Sequence, residues 1–175
     1  MNCANETTHT GTSMQPRSES RTKGKLLVVD DDSSVREMLT RILVNEGYEV
    51  WAASNGTAAL TIAATAHVDL VLLDLNMPGT SGWDTFERLT TDNPKLSVVI
   101  VTARPNQLFT AMGAGVAALV EKPIHFPKLL ETVSGLLEEP EEFRLARAAG
   151  KLTRLHYLRS GRSRSSSGPV RSPSG

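Results

Sequence analysis

The sequence has a single cysteine, Cys3, among its 175 residues. One thiol cannot form an intrachain disulfide and cannot build a cysteine-rich zinc site. No apolar stretch approaches the length that crosses a bilayer, and the polar first twenty residues lack the apolar core of a secretion signal. These absences predict a cytoplasmic protein without membrane insertion.

A net charge is absent too, because 19 Lys and Arg residues balance 19 Asp and Glu residues. A balanced chain has no overall attraction to nucleic acid or to an acidic membrane. The C-terminal end is the exception: from Lys151 onward it carries six basic residues and no acidic one, spaced by Ser, Gly and Pro. The default interpretation is a solvated, disordered segment. Weak contact of this basic tail with nucleic acid is the alternative.

The chain is long enough to bury one good core and too short for two typical domains. Residues 1–24 are polar and predict a disordered leader. Residues 25–139 carry the regular apolar pattern of a folded domain. In residues 140–158 a helical extension is conceivable, because Pro140 suits a helix start. Residues 159–175 predict a disordered basic tail rich in Ser and Arg.

Short apolar runs alternate with helical patterns throughout the domain. The first run, Leu26 to Val29, is followed by apolar residues at helical spacing from Val35 to Leu43. Continuous apolar runs are typical of parallel strands buried on both faces. The alternation repeats to give five strand and helix pairs, which predicts an open, doubly wound α/β fold with a parallel sheet between helices.

Polar residues follow four of the five predicted strands. The carboxyl ends of parallel strands meet at one edge of such a sheet, so these residues should share a pocket. Carboxylates forced together repel one another, which favours a hard divalent cation, with Mg²⁺ the abundant candidate. An Asp can then accept a phosphoryl group once the metal and a lysine neutralise the charge. The residues are Asp30, Asp31 and Asp32, then Asp74, Thr102 and Lys122.

Simpler explanations exist for each of these residues taken alone. An acid after a strand can cap a helix, which would account for Asp32. Asp74 could start the turn that contains Pro78 and Gly79. Thr102 fits β propensity and Lys122 fits a solvated surface amine. None of these explanations accounts for the whole set.

Four motifs, each at the end of a predicted strand, resemble those of the response-regulator receiver family of two-component signal transduction. The resemblance covers roughly residues 25–139 and implies a flavodoxin-like (βα)5 domain with a five-stranded parallel sheet in the order 2-1-3-4-5. The motifs are Val-Val-Asp30-Asp31, Leu-Leu-Asp74-Leu-Asn-Met-Pro78-Gly79, Val101-Thr102-Ala103 and Glu121-Lys122-Pro123.

The resemblance also implies roles for individual residues. Asp74 would be the phosphoacceptor and Asp31 a direct Mg²⁺ ligand, while Asp30 would bind the metal through water. The backbone carbonyl of Asn76 would be a further ligand. Lys122 would bind the phosphoryl group together with Thr102, and the bond from Lys122 to Pro123 would be cis.

The implied function is that of a single-domain response regulator. A histidine kinase or histidine phosphotransfer protein would phosphorylate Asp74 and switch the binding of an unknown downstream protein. The chemistry would be limited to self-phosphorylation and self-dephosphorylation, so the protein would not be an enzyme in the usual sense. A Mg²⁺-dependent phosphohydrolase is a weaker alternative, because Asn76 stands where a second acid would be needed.

The sequence departs from the family at two places. Leu119 occupies a position where receivers often carry an aromatic residue, and the segment between Thr102 and Lys122 is short and contains Gly113 and Gly115. A brief fourth helix is therefore expected. These departures leave open a module that keeps the receiver fold and binds partners without phosphorylation, and they put the family's usual signalling surface in doubt.

Overall fold

The computed structural model describes residues 22–79, 81–104, 106–151 and 155–160. Six strands form one parallel sheet in the order β2-β1-β3-β4-β5-β6. The predicted order 2-1-3-4-5 is therefore confirmed, with one additional strand at the β5 edge. The strands are β1 (Lys25–Val29), β2 (Glu49–Ala53), β3 (Leu70–Asp74), β4 (Ser97–Thr102), β5 (Ala118–Glu121) and β6 (His156–Leu158).

Helices connect successive strands and cover both faces of the sheet, as a doubly wound fold requires. The fourth helix has only seven residues, which agrees with the brief helix expected between Thr102 and Lys122. The helices are α1 (Ser33–Asn45), α2 (Gly56–Thr65), α3 (Gly82–Asp92), α4 (Leu108–Ala114), α5 (Phe126–Glu138) and α6 (Glu141–Ala148).

The core consists of two apolar layers separated by the sheet. Because successive side chains of a strand point to opposite faces, Leu27 and Val29 of β1 enter one layer while Leu26 and Val28 enter the other. The first layer packs against α2, α3 and α4, and the second against α1 and α5. All of β3 and β4 is buried, which explains why the sequence shows unbroken apolar runs there.

Within residues 140–158 the chain after α5 forms a short helix and then a sixth strand. The helix α6 begins after Pro140 and ends at Ala148, and Gly150 then adopts a positive φ of 68°. Residues 156–158 form β6, which pairs in parallel with β5. The reason is apolar burial, since Leu155 packs against one core layer and Leu158 against the other.

A buried ion pair holds α6 in place. The Arg147 guanidinium, only 4% exposed, contacts the Glu139 carboxylate. A Cβ atom on Gly115 would lie 2.8 Å from the Arg147 carbonyl oxygen, and Gly115 has a φ of 77°. The end of α4 therefore needs a glycine both for its backbone conformation and for the close approach of α6.

The leader predicted for residues 1–24 lies outside the described residues as far as residue 21, and most of the predicted tail, residues 161–175, lies outside them as well. Within the described ranges, every helix is too short or too polar to span a bilayer.

Candidate functional site

Three carboxylates meet at the carboxyl edge of the sheet. Asp30 directly follows β1 and Asp74 ends β3, two strands that are hydrogen-bonded neighbours with Val29 opposite Leu73. One carboxylate oxygen from each of Asp30, Asp31 and Asp74 lies within 4.8 Å of the other two. Asp30 and Asp74 are 2% and 3% exposed, whereas Asp31 is open to solvent. The pocket thus has two buried acids and one accessible acid at its mouth.

Lys122, which follows β5, bridges the two buried acids. Its Nζ lies 2.9 Å from Asp30 Oδ2 and 2.7 Å from Asp74 Oδ2. The remaining oxygen of each carboxylate accepts a backbone N–H: Asp32 donates to Asp30 Oδ1 at 2.9 Å, and Asn76 donates to Asp74 Oδ1 at 3.0 Å. Both buried carboxylates therefore have every oxygen hydrogen-bonded, as burial demands.

Burial and the lysine act in opposite directions on the site's protonation. Burial raises the pKa of Asp30 above its usual value, although the hydrogen bond and charge of Lys122 work to lower this pKa. Burial works to lower the pKa of Lys122, but its hydrogen bonds to Asp74 and Asp30 outweigh burial and raise the pKa. Lys122 is therefore cationic. Its single positive charge faces three carboxylates, so the site has an excess of negative charge that favours a bound cation.

Thr102 lies beside this pair of acids and its lysine. It ends β4, is fully buried, and sits one residue beyond Val101, the partner of Asp74 in the sheet register. Its Oγ1 accepts the N–H of Arg104 at 3.0 Å, and its carbonyl accepts the N–H of Lys122 at 2.9 Å. Polar residues at the carboxyl ends of β1, β3, β4 and β5 are thus brought to one place.

The other residues singled out in the sequence have different positions. Asp32 caps α1, since its Oδ1 accepts the N–H groups of Ser34 and Val35, and it stays outside the acid trio. Asn76 is exposed and contributes its N–H to Asp74; the role of its carbonyl as a metal ligand stays a prediction. Leu119 is buried in the core layer on the α2, α3 and α4 side. The peptide bond between Lys122 and Pro123 is cis, as expected.

Two contacts near the site were missed in the sequence. The Arg36 side chain of α1 donates to the backbone carbonyls of Asp30 and Asp31. The Tyr157 hydroxyl of β6 donates to the Glu121 carboxylate next to Lys122. The spacing of Arg36, four residues after the α1 cap, could have indicated a side chain over the acid loop. Tyr157 carries no comparable signal because its partner is 36 residues away in sequence.

The donor set fits a hard divalent cation. Carboxylate oxygens at this spacing are the ligands that Mg²⁺ and Ca²⁺ prefer, and one accessible acid beside two buried ones leaves room for water and a phosphate oxygen. A carboxylate nucleophile next to such a cation and a lysine is the arrangement that aspartyl phosphate formation needs.

A comparison with known families agrees with this geometry. Residues 26–134 match the family described as the response regulator receiver domain, which is more than half of the chain. The chain belongs to the response-regulator receiver family.

Curated relatives of this receiver domain include response regulators. It is 36% identical over 124 residues to the DNA-binding response regulator MtrA of Mycobacterium tuberculosis, covering 67% of this chain and 54% of MtrA. It is 34% identical over 120 residues to the uncharacterized transcriptional regulatory protein YkoG of Bacillus subtilis, covering 52% of that protein. The chain thus spans about half the length of the curated relatives that it matches.

Solved structures show the same fold. The response regulator TrrA of Thermotoga maritima, crystallised in complex with Mg²⁺ and BeF, is 33% identical with a TM-score of 0.61 and covers 65% of this chain and 98% of its own. A CheY-like receiver from Methanospirillum hungatei is 29% identical with a TM-score of 0.63, covering 68% of this chain and 96% of its own. Both alignments leave about a third of this chain unmatched.

Proposed function

We propose that this receiver domain accepts a phosphoryl group on Asp74 from a histidine kinase or a histidine phosphotransfer protein. The observation that carries the proposal is the juxtaposition of Asp30, Asp31 and Asp74 within 4.8 Å, with the Lys122 ammonium 2.7 Å from Asp74. The similarity to TrrA, which binds Mg²⁺ and BeF, supports Mg²⁺ as the metal. In this chain Asp30, Asp31 and Asp74 hold it, with the Asn76 carbonyl as a further ligand.

The reaction is a displacement at phosphorus. A carboxylate oxygen of Asp74 forms a bond to the phosphorus of the donor phosphohistidine, the P–N bond breaks, and its electron pair stays on the imidazole, which becomes neutral once a proton has balanced its charge. When bound, Mg²⁺ neutralises charge on the phosphoryl oxygens. Burial keeps the Asp74 side chain fixed, with only 3% of the residue exposed, so the attack geometry is set before the donor arrives.

Lys122 and Thr102 are the residues that stabilise the product. The Lys122 ammonium already contacts Asp74, so a phosphoryl group attached there lies within reach of the same cation. Thr102 adds a hydroxyl at the end of the neighbouring strand, where it can hydrogen-bond a phosphoryl oxygen. The contacts with the phosphoryl oxygens form only after phosphorylation, so they shift the population toward a second receiver conformation.

The output surface of this receiver includes the segment after α5. In this chain β6 pairs with the edge of β5, and α6 packs beside Gly115 at the end of α4. TrrA is 98% covered by only 65% of this chain, so this added strand and helix lie beyond most of what the two share. A downstream partner therefore meets β6 and α6 where an isolated receiver would present β5 and α4.

The domain acts in signalling and does not turn over a substrate. Its chemistry is its own phosphorylation and dephosphorylation, and it operates in the cytoplasm together with the kinase. The downstream target is a protein. MtrA is named a DNA-binding response regulator, but this chain matches only about half of MtrA, so DNA binding is not assigned to this chain.

The test is phosphorylation by a small donor. The full chain is incubated with acetyl phosphate and Mg²⁺, and its intact mass is measured. We expect the added mass of one phosphoryl group. This added mass should be absent when Mg²⁺ is chelated before the incubation, and absent in Asp74→Asn. The matched control Asp84→Asn, at an exposed position in α3, should be labelled like the original protein. Unchanged labelling in Asp74→Asn would overturn the proposal.

A further inference from the structure

Arg36 is the one side chain that donates to the backbone of the loop bearing Asp30, Asp31 and Asp32 among the hydrogen bonds found for the described residues. Its Nη1 lies 2.6 Å from the carbonyl oxygen of Asp30 and 3.3 Å from that of Asp31. Its own backbone N–H donates to the carbonyl of Asp32 at 3.0 Å. One residue of α1 therefore binds three successive carbonyls of the acid loop.

We propose that Arg36 is a positioning residue, which holds the acid loop in the conformation that binds the divalent cation. The inference rests on the proposed function, in that it takes Asp30, Asp31 and Asp74 to hold the metal. Arg36 itself neither ligates the cation nor touches the phosphoryl group in this account. It acts through the backbone of two ligand-bearing residues.

The acid loop needs hydrogen-bond donors from outside the sheet because it lies beyond the end of β1. Asp30 is the first residue beyond β1, and its N–H still pairs with the carbonyl of Ala53 in β2. Beyond it the sheet ladder ends, so the carbonyls of Asp30 and Asp31 need other partners. Asp31 is exposed, and its side chain has no hydrogen bond to the rest of the protein among those found. The backbone, which Arg36 contacts, therefore sets the position of the Asp31 Cβ and with it the region that the carboxylate can reach.

The planar fork of a guanidinium suits this task better than an ammonium. Both carbonyls are contacted by Nη1, whose two N–H donors lie in the rigid guanidinium plane, whereas a lysine offers a point charge on a flexible stem. An unanchored loop would have to be ordered when the cation binds, and that entropy would be subtracted from the binding free energy. Partners that orient metal ligands typically change metal affinity by about 10–100-fold when removed.

The charge of Arg36 and its hydrogen bonds to the acid loop predict opposite effects on Mg²⁺ affinity. Arg36 is a cation near a cation site, so Coulomb's law alone predicts that removing its charge tightens Mg²⁺ binding. Loss of positioning predicts weaker binding. A weaker affinity in a variant without the positive charge therefore cannot come from the lost charge.

The test is a Mg²⁺ titration by calorimetry on folded full-length chains. We expect Arg36→Gln to weaken Mg²⁺ binding by about tenfold and Arg36→Lys, which keeps the charge, to weaken it by a smaller factor. The control is Arg41→Gln, which removes the same charge from an exposed position farther along α1 and should leave the affinity unchanged or slightly tighter. Urea unfolding without Mg²⁺ establishes that each variant is folded under the titration conditions.

Four outcomes separate the possibilities. Weaker binding in Arg36→Gln with partial recovery in Arg36→Lys supports the proposal. Equal or tighter binding in Arg36→Gln overturns it, because Arg36 would then act only through its charge or only in folding. Absence of Mg²⁺ binding in the unaltered protein would instead contradict the proposed function itself. If Arg36→Gln does not fold, Arg36→Lys decides alone: affinity equal to that of the unaltered protein overturns the proposal.

Discussion

Replacement of Lys122 by Met is the perturbation whose consequences the structure defines most fully. The substitution keeps a similar volume but removes the cation that bridges Asp30 Oδ2 and Asp74 Oδ2 at 2.9 and 2.7 Å. Breaking a buried ion pair by deleting one partner typically costs about 3–5 kcal/mol. Because 21% of the Lys122 side chain is exposed and water can reach the gap, we expect a loss of about 2–4 kcal/mol at neutral pH.

The loss should depend on pH with a defined sign. Burial already raises the pKa of Asp30, and Lys122 counteracts that rise. Without Lys122 the pKa of Asp30 should rise further, so the folded variant binds more protons than the unfolded chain. Its stability relative to the unaltered protein should therefore recover as pH falls from about 7 to about 5, and decline again as pH rises.

The assay is urea unfolding followed by circular dichroism at both pH values, with and without Mg²⁺. The cation should restore part of the lost stability, up to about 2.7 kcal/mol when its concentration is about 100 times its dissociation constant. Lys128→Met, at an exposed position on α5, is the control and should change stability by less than about 0.5 kcal/mol. A loss in Lys122→Met that is equally small, or that does not diminish on acidification, would refute the reasoning.

Three further substitutions test how the fold supports the site. Gly82→Ala should lower the free energy of unfolding, measured with urea, by about 1–3 kcal/mol, because a Cβ there would lie 2.6 Å from the backbone at the end of β3. The control is Gly135→Ala in α5, which should be neutral or stabilising because a Cβ there meets nothing within 4 Å. Leu119→Ala should cost about 3–5 kcal/mol by the same assay, because Leu119 is 1% exposed; a loss near zero would contradict its core position. Thr102→Val should cost about 0.5–1.5 kcal/mol by removing the acceptor of the Arg104 N–H, which lies at an exposed residue. It should also lower labelling by acetyl phosphate, and full labelling would exclude the role of the hydroxyl.

The sheet and its acidic edge could be predicted because local signals and topology agree. β3 and β4 are buried along their whole length, so their apolar runs are unbroken, and the residues that end them or follow them are polar. In a parallel sheet those strand ends must meet at one edge. The positions of Asp30, Asp74 and Lys122 therefore follow from the strand pattern alone.

Features that depend on distant partners could not be predicted. β6 has three residues, and its pairing partner Ala118 lies 38 positions before His156 according to the sheet register. No periodicity can be detected in so short a segment. The contacts of Arg36 were missed for a different reason: its spacing from the α1 cap could place the side chain over the acid loop, but its partners are backbone carbonyls, which every residue possesses.

The most direct test of the shared cation site is a Mg²⁺ titration by calorimetry of the unaltered chain and of two single variants at adjacent positions. Asp31→Asn removes an exposed acid of the trio, whereas Asp32→Asn removes the same charge from the α1 cap, where Asn caps equally well. We predict one Mg²⁺ per chain, an affinity lowered by about tenfold or more in Asp31→Asn, and little change in Asp32→Asn. No Mg²⁺ binding by the unaltered chain, or equal affinities in the two variants, would contradict the account.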